Sequence, residues 1–256
     1  MPHAEAQGQR RQTKIPVWRQ TAARLGKLCV EVLYPRRCPA CDAPLAIGQE
    51  LCEDCSGKLV IVTPPFCFGC GKHLEDATQE FCHDCLAKIH FFDAGRGLYD
   101  YRSVAESMYR FKYHRRSEYA EFYGRKIAAH LGEVIRGWDA QALIPVPVHK
   151  ERLKKRGYNQ AQCLAEVIGR ELSIPVESGL LVRAKKTVPM KLLDREQRIK
   201  NLKSAFITRD NSVKLKSIIV VDDIYTTGST IDACAAVLKA AGVEKVFFIT
   251  LAIGRG

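Results

Sequence analysis

Residues 218–230 read Ile-Ile-Val-Val-Asp-Asp-Ile-Tyr-Thr-Thr-Gly-Ser-Thr. Four β-branched apolar residues, Ile218–Val221, form the run of a strand buried on both faces, as parallel sheets require. Two acids, Asp222 and Asp223, stand at its carboxyl end, where α/β sheets place their ligands. Small and hydroxylated residues follow: Thr226, Thr227, Gly228, Ser229 and Thr230. Ile231–Ala241 then reads as a helix closed by Gly242. A loop of this kind at a helix N-terminus presents backbone N–H groups, hydroxyls and the positive end of the helix dipole, which together make a phosphate site. The preceding acids suit ribose hydroxyls. No Gly-Lys-Ser/Thr follows, so this is not a P-loop.

The strand, acids and TTGST loop together resemble the 5-phosphoribosyl-1-pyrophosphate (PRPP) motif of type I phosphoribosyltransferases. A second apolar strand is expected at 143–148. It leads into His149–Gln160, where five of twelve residues are Lys or Arg. At the end of the same sheet, Arg152, Arg156, Asn159 and Gln160 would suit pyrophosphate or another polyanion. Further strands are expected at 205–208 and 246–251. Helices are expected near 103–111, 118–136, 159–172 and 229–241.

Upstream, the cysteines follow a different logic. Of the chain's 11 cysteines, eight form four CxxC pairs: Cys38/Cys41, Cys52/Cys55, Cys67/Cys70 and Cys82/Cys85. A CxxC knuckle sets two thiolates at two corners of a tetrahedron, and a second knuckle supplies the other two. Gly71, directly after Cys70, suits a tight knuckle turn. The halves CPAC…LCEDC and CFGC…FCHDC look like a duplication of one small ribbon. A module of about 50 residues with few large apolar side chains needs a staple. Two structural zinc ions, each with four cysteines, provide one. A single zinc site, or a redox or iron–sulfur role, are the competing readings. Sequential pairing of the knuckles is simplest, but interleaved pairing has compatible spacing. His73, His83 and His90 read as bystanders, and Cys29, Cys163 and Cys234 as small apolar fillers.

The 256-residue chain carries a formal charge of +12. Residues 1–28 have six basic side chains against Glu5, whereas residues 29–92 have five basic and nine acidic ones. The remaining basic excess lies in 93–256. Three parts are therefore expected: a tail with a basic amphipathic helix at 1–35, a double zinc-ribbon module at 36–90, and an α/β domain at 93–256. Trp18, Leu25, Leu28, Val32 and Leu33 give the first of these its helical spacing. No stretch approaches the ~18 apolar residues of a membrane span. No apolar segment follows Arg10 and Arg11 as in a secretory signal. A cytoplasmic location is expected, with peripheral contact at the inner face of the membrane left open.

Residues 109–116, Tyr-Arg-Phe-Lys-Tyr-His-Arg-Arg, alternate aromatic and basic side chains. Arg110, Phe111, Lys112, Tyr113, Arg115 and Arg116 are candidates for stacking on bases and holding phosphates of single-stranded nucleic acid. The bland reading is a helix end with Phe111 and Tyr113 partly in the core.

Four motifs in this order resemble the ComF family: YPxRCPAC from Tyr34, IPVPVHxxRLxxRGYNQA from Ile144, TVPMKLLDREQRxxNLxxAF from Thr187, and VVDDIYTTGST from Val220. The resemblance implies a type I phosphoribosyltransferase fold, a parallel sheet flanked by helices, preceded by a small Cys-rich double zinc ribbon. It implies that Asp222 and Asp223 contact the PRPP ribose and that Thr226–Thr230 hold the 5′-phosphate. Mg2+ would bridge pyrophosphate and ribose oxygens, mostly through waters and substrate. It also implies a role in natural transformation, handling incoming single-stranded DNA beside other competence proteins. The alternative is an active phosphoribosyltransferase acting on an unidentified nucleobase or amine; no general base stands out for it. Met190 departs from the Gln frequent in the family, while Arg195, Arg198, Asn201 and Phe206 fit.

Overall fold

A computed structural model describes residues 35–183, 205–209 and 213–254. The expected N-terminal helix and the stretch around Met190, Arg195, Arg198 and Asn201 lie outside these residues. The elements, in chain order, are α1 (His83–Ala87), β1 (Ala94–Asp100), α2 (Tyr101–Tyr113), α3 (Tyr119–Gly137) and β2 (Ala142–Pro145). They continue with α4 (Lys150–Arg156), α5 (Gln160–Leu172), β3 (Leu181–Arg183), β4 (Phe206–Thr208), β5 (Ser217–Tyr225), α6 (Ser229–Ala240) and β6 (Lys245–Ile253).

Four strands form one parallel sheet in the order β1-β6-β5-β2. Hydrophobic clusters cover both of its faces. Ile218–Val221 are fully buried in its middle, which is why that run carries no polar alternation. β5 runs three residues beyond the expected end, because its pairing with β6 continues to Tyr225 opposite Ile253. β2 stops early. Val146 still donates to the Val221 carbonyl (2.9 Å), but Pro147 has no N–H to offer.

β1 was not among the expected strands. Its sequence, Ala-Gly-Arg-Gly-Leu-Tyr-Asp, has two glycines and weak strand propensity. The tertiary structure supplies the reason: a Cβ at Gly95 would lie 2.1 Å from the Phe248 ring. Residues 150–156, read as part of a basic loop, form the two-turn α4 instead. It is capped at its start by His149 and closed by Gly157 at φ +85°.

β3 and β4 make a separate antiparallel pair, with Arg183 opposite Phe206. The local signals at helix starts are ordinary. Asp100 accepts from Arg102 N–H at α2, and Asn159 from Ala161 N–H at α5.

The two ribbons dock differently. Cys67, Cys70 and Cys82 belong to the same buried cluster as Tyr225, Phe248 and Ile253 of the sheet. The first ribbon has a small cluster of its own around Cys38, Leu45 and Cys55. It is held to the helices by polar clamps: Arg110 donates to the Ala40 carbonyl (3.1 Å), and Arg116 pairs with Asp42 (2.7 Å).

Candidate functional site

The sheet delivers Asp222 and Asp223 near the carboxyl end of β5, on opposite faces of the strand. Asp223 is buried and paired with Lys112 of α2, Nζ to Oδ1 2.9 Å. Asp222 is half-buried, and its Oδ1 accepts from the Asp223 N–H (2.8 Å). Burial first, and then the neighbouring Asp223 charge, push the Asp222 carboxyl up to about 7. Lys112 and Arg183 oppose that rise. Asp222 therefore sits near two cations, Lys112 and Arg183, and among the described residues forms a direct ion pair with neither.

The turn that follows has the form of an anion cradle. Thr226 and Thr227 are exposed, and the Thr227 and Ser229 hydroxyls lie 3.0 Å apart. Gly228 caps α6 in the left-handed region at φ +74°. A Cβ there would lie 2.6 Å from the Tyr225 hydroxyl oxygen. The Tyr225 ring is stacked flat on Phe248, with centroids 4.7 Å apart at 3°. The floor of the loop is thus rigid, and α6 is long enough for its dipole to count.

On the other side of β5, the second basic segment is less available than its composition suggests. Arg152 is exposed. Arg156 donates to Gln160 Oε1 (3.0 Å) and lies over the Tyr113 ring at 5.1 Å. Asn159 is spent on capping α5 and on the Val146 carbonyl, and Gln160 is buried against the Phe111 carbonyl. Asn159 and Gln160, expected as polyanion contacts, fasten the turn after α4 through these hydrogen bonds.

Sequence reasoning missed Arg183. It sits on β3 over the Phe206 ring (5.3 Å), near Asp222 and Arg152, with its Nε buried and unpartnered. Its only local signal was a basic residue ending a short apolar run.

The eight thiols gather as Cys38/Cys41/Cys52/Cys55 and Cys67/Cys70/Cys82/Cys85, each set within 4.8 Å. This is the sequential pairing. Cys41–Cys52 and Cys70–Cys82 are 3.5 and 3.6 Å apart, close to the ~3.8 Å edge that four Zn–S bonds of 2.3 Å imply. Each all-sulfur set fits a closed structural zinc and leaves no position for substrate. His90 lies outside both sets, bound instead to Asp232 of α6 at 2.8 Å.

Two family models match the chain, a double zinc ribbon domain over residues 29–86 and a phosphoribosyl transferase domain over 156–255. Competence protein F of Haemophilus influenzae is 30% identical over 217 residues, spanning 82% of this chain and 93% of that protein. The chain belongs to the ComF family. Competence protein ComFC of Bacillus subtilis is 29% identical over 212 residues, 78% of this chain and 84% of that one. DNA utilization protein YhgH of Escherichia coli K12 is 29% identical over 219 residues, 83% and 94% respectively.

In this ComF chain the aromatic and basic stretch of α2 divides by face. Phe111 is fully buried, so its ring cannot stack on a base. Arg110 and Arg116 are held by the first ribbon, and Lys112 by Asp223. Phe111 is thus no stacking platform, while Arg110, Lys112 and Arg116 each carry an internal partner. Tyr113 and Arg115 remain exposed.

The raised Asp222 carboxyl has a consequence for stability. Its folded value near 7 lies above its ordinary 3.8, so the folded state binds the proton more tightly. The associated stability is complete below about pH 4 and is lost as pH rises through 7. Asp222→Asn should therefore match wild type at acid pH and melt several degrees higher at pH 8. A melting difference that stays constant from pH 5 to pH 8 would contradict this (about 2–4 °C corresponds to 1 kcal/mol for a chain of this size).

Proposed function

We propose that this protein is a competence-associated ComF protein that binds a phosphoribosyl ligand of the PRPP type and handles single-stranded DNA during transformation. The observation that carries the ligand reading is the turn from β5 to α6. Asp222 and Asp223 stand near the carboxyl end of β5, and Thr226–Thr230 run through the turn into the N-terminus of a twelve-residue helix. In this reading the acids take the ribose hydroxyls and the loop amides and hydroxyls take the 5′-phosphate. Mg2+ would enter with the ligand beside Asp222 and Asp223 and would supply charge neutralisation for its pyrophosphate. Lys112 and Arg183 supply positive charge on the flank of the acids, and Arg152 on the pyrophosphate side.

The relatives are named for competence and DNA utilization. They support the transformation reading over that of a working transferase. The place of action in this reading is the cytoplasm, with competence proteins as neighbours. Among the described residues, no helix is long and apolar enough to cross a membrane.

Calorimetry with PRPP and Mg2+ tests the site. Wild type should give saturable heat at micromolar to millimolar ligand. The Asp222→Ala/Asp223→Ala variant should lose at least about tenfold in affinity, as two charge-assisted hydrogen-bond acceptors are removed. Absence of heat with wild type would sink the ligand reading. Transformation frequency in a knockout, complemented with wild type or the double Asp variant, tests whether the site serves DNA uptake.

A further inference from the structure

Four planar side chains form a row on the outer face of α2 and its junction with α4. Tyr109 and Tyr113, one helical turn apart, are each 57% exposed. Their ring centroids are 5.0 Å apart with planes tilted by 44°. His114 meets Tyr109 edge-on at 5.5 Å, and the Arg156 guanidinium lies 5.1 Å over Tyr113. Exposed apolar surface that is contiguous, as these touching rings are, marks an interaction site where scattered exposed residues do not.

The charge beside them is mainly positive, with Glu151 the one acid of α4. α4 reads Lys-Glu-Arg-Leu-Lys-Lys-Arg, and Lys154 and Lys155 are exposed on it. Arg115, in the turn after α2, is exposed as well. Arg156 ties the rings to this helix, since it donates to the Tyr113 hydroxyl (3.4 Å) as well as lying over its ring. Open rings next to a cationic helix are what a strand with unpaired bases and a phosphate backbone requires.

We infer that the Tyr109–Tyr113 face of α2, together with α4, is a binding surface for single-stranded DNA. Bases stack on Tyr109 and Tyr113, and phosphates lie along Lys154, Lys155 and Arg115. The inference rests on the DNA-handling reading above and gives it a location. It moves the stacking from Phe111, which is buried, to Tyr109, which opens the aromatic and basic stretch but was not among its candidate contacts.

Fluorescence anisotropy with a labelled oligo-dT strand tests it on the full-length protein. Tyr109→Leu/Tyr113→Leu keeps apolar bulk but removes the π-faces, and should weaken binding by about tenfold or more. Tyr109→Phe/Tyr113→Phe keeps the faces and should bind within about twofold of wild type. Lys154→Ala/Lys155→Ala should lower the slope of log affinity against log salt by about 1.4.

Leu variants that bind like wild type, or a duplex that competes as well as the single strand, would overturn the surface while leaving DNA handling intact. A wild-type protein that binds no oligo-dT would remove the DNA-handling reading and the surface together. Melting curves identify a misfolded Leu variant. In that event the lysine pair, exposed and outside the core, still decides: an unchanged salt slope overturns the proposal.

Discussion

Cys70→Ser is expected to release one of about two zinc ions per chain and to lower the melting temperature by more than about 10 °C. Structural zinc in small thiolate modules contributes on the order of 10 kcal/mol to folding. What matters here is where that contribution is felt. Cys70 is fully buried and shares a cluster with Tyr225 and Phe248 of the sheet. Gly71, next to it at φ +76°, is so close to β1 that a Cβ would fall 2.5 Å from the Gly95 carbonyl oxygen. Losing this tetrad removes one wall of the main core.

Cys41→Ser is the matched control. Cys41 is an exposed corner of the first tetrad, whose small cluster meets the sheet's helix-side core through the half-buried Leu51. It should also release one zinc, but with a clearly smaller fall in melting temperature. Metal analysis and thermal melts measure both quantities. Equal destabilisation by the two variants would contradict the unequal docking of the ribbons.

The second large effect is expected from Gly228→Val: loss of PRPP binding by about a hundredfold or more, with folding retained in part. A β-branched residue at φ +74° costs roughly 1–3 kcal/mol in backbone strain alone. Its side chain would also meet Tyr225, whose ring is locked against Phe248, which in turn packs on Gly95. The ring cannot swing aside, so the loop must move, and the amides that face the phosphate move with it. Calorimetry against Thr227→Ala, which removes one hydroxyl and leaves the backbone alone, separates loop geometry from a single lost contact. If Gly228→Val binds as well as Thr227→Ala, the loop is not a rigid cradle.

These packing chains show why parts of the fold escaped the sequence. β1 looks unlike a strand because Gly95 answers to Phe248, 153 positions downstream, and Gly97 to Ile253. α4 looks like a loop because its charges face water and leave no apolar stripe. Arg183 and Lys112 reach the acids of β5 from two other elements. No local pattern marks them. The division of residues 109–116 into buried Phe111 and exposed Tyr109 and Tyr113 depends on which face of α2 meets its neighbours.

The amino-acid sequence by itself determined that a buried strand ends in two acids and a phosphate-type loop, and that four CxxC knuckles need metal. Both rest on residue type at short spacing, where local sterics and ligand geometry leave few alternatives. Only the tertiary structure decided which knuckles gather, because sequential and interleaved pairings have equivalent spacing. It also decided which ribbon supports the phosphate loop and which basic residues remain open to a partner. Those outcomes turn on contacts between residues far apart in the chain, where burial and competing ion pairs, not local propensity, select the partner.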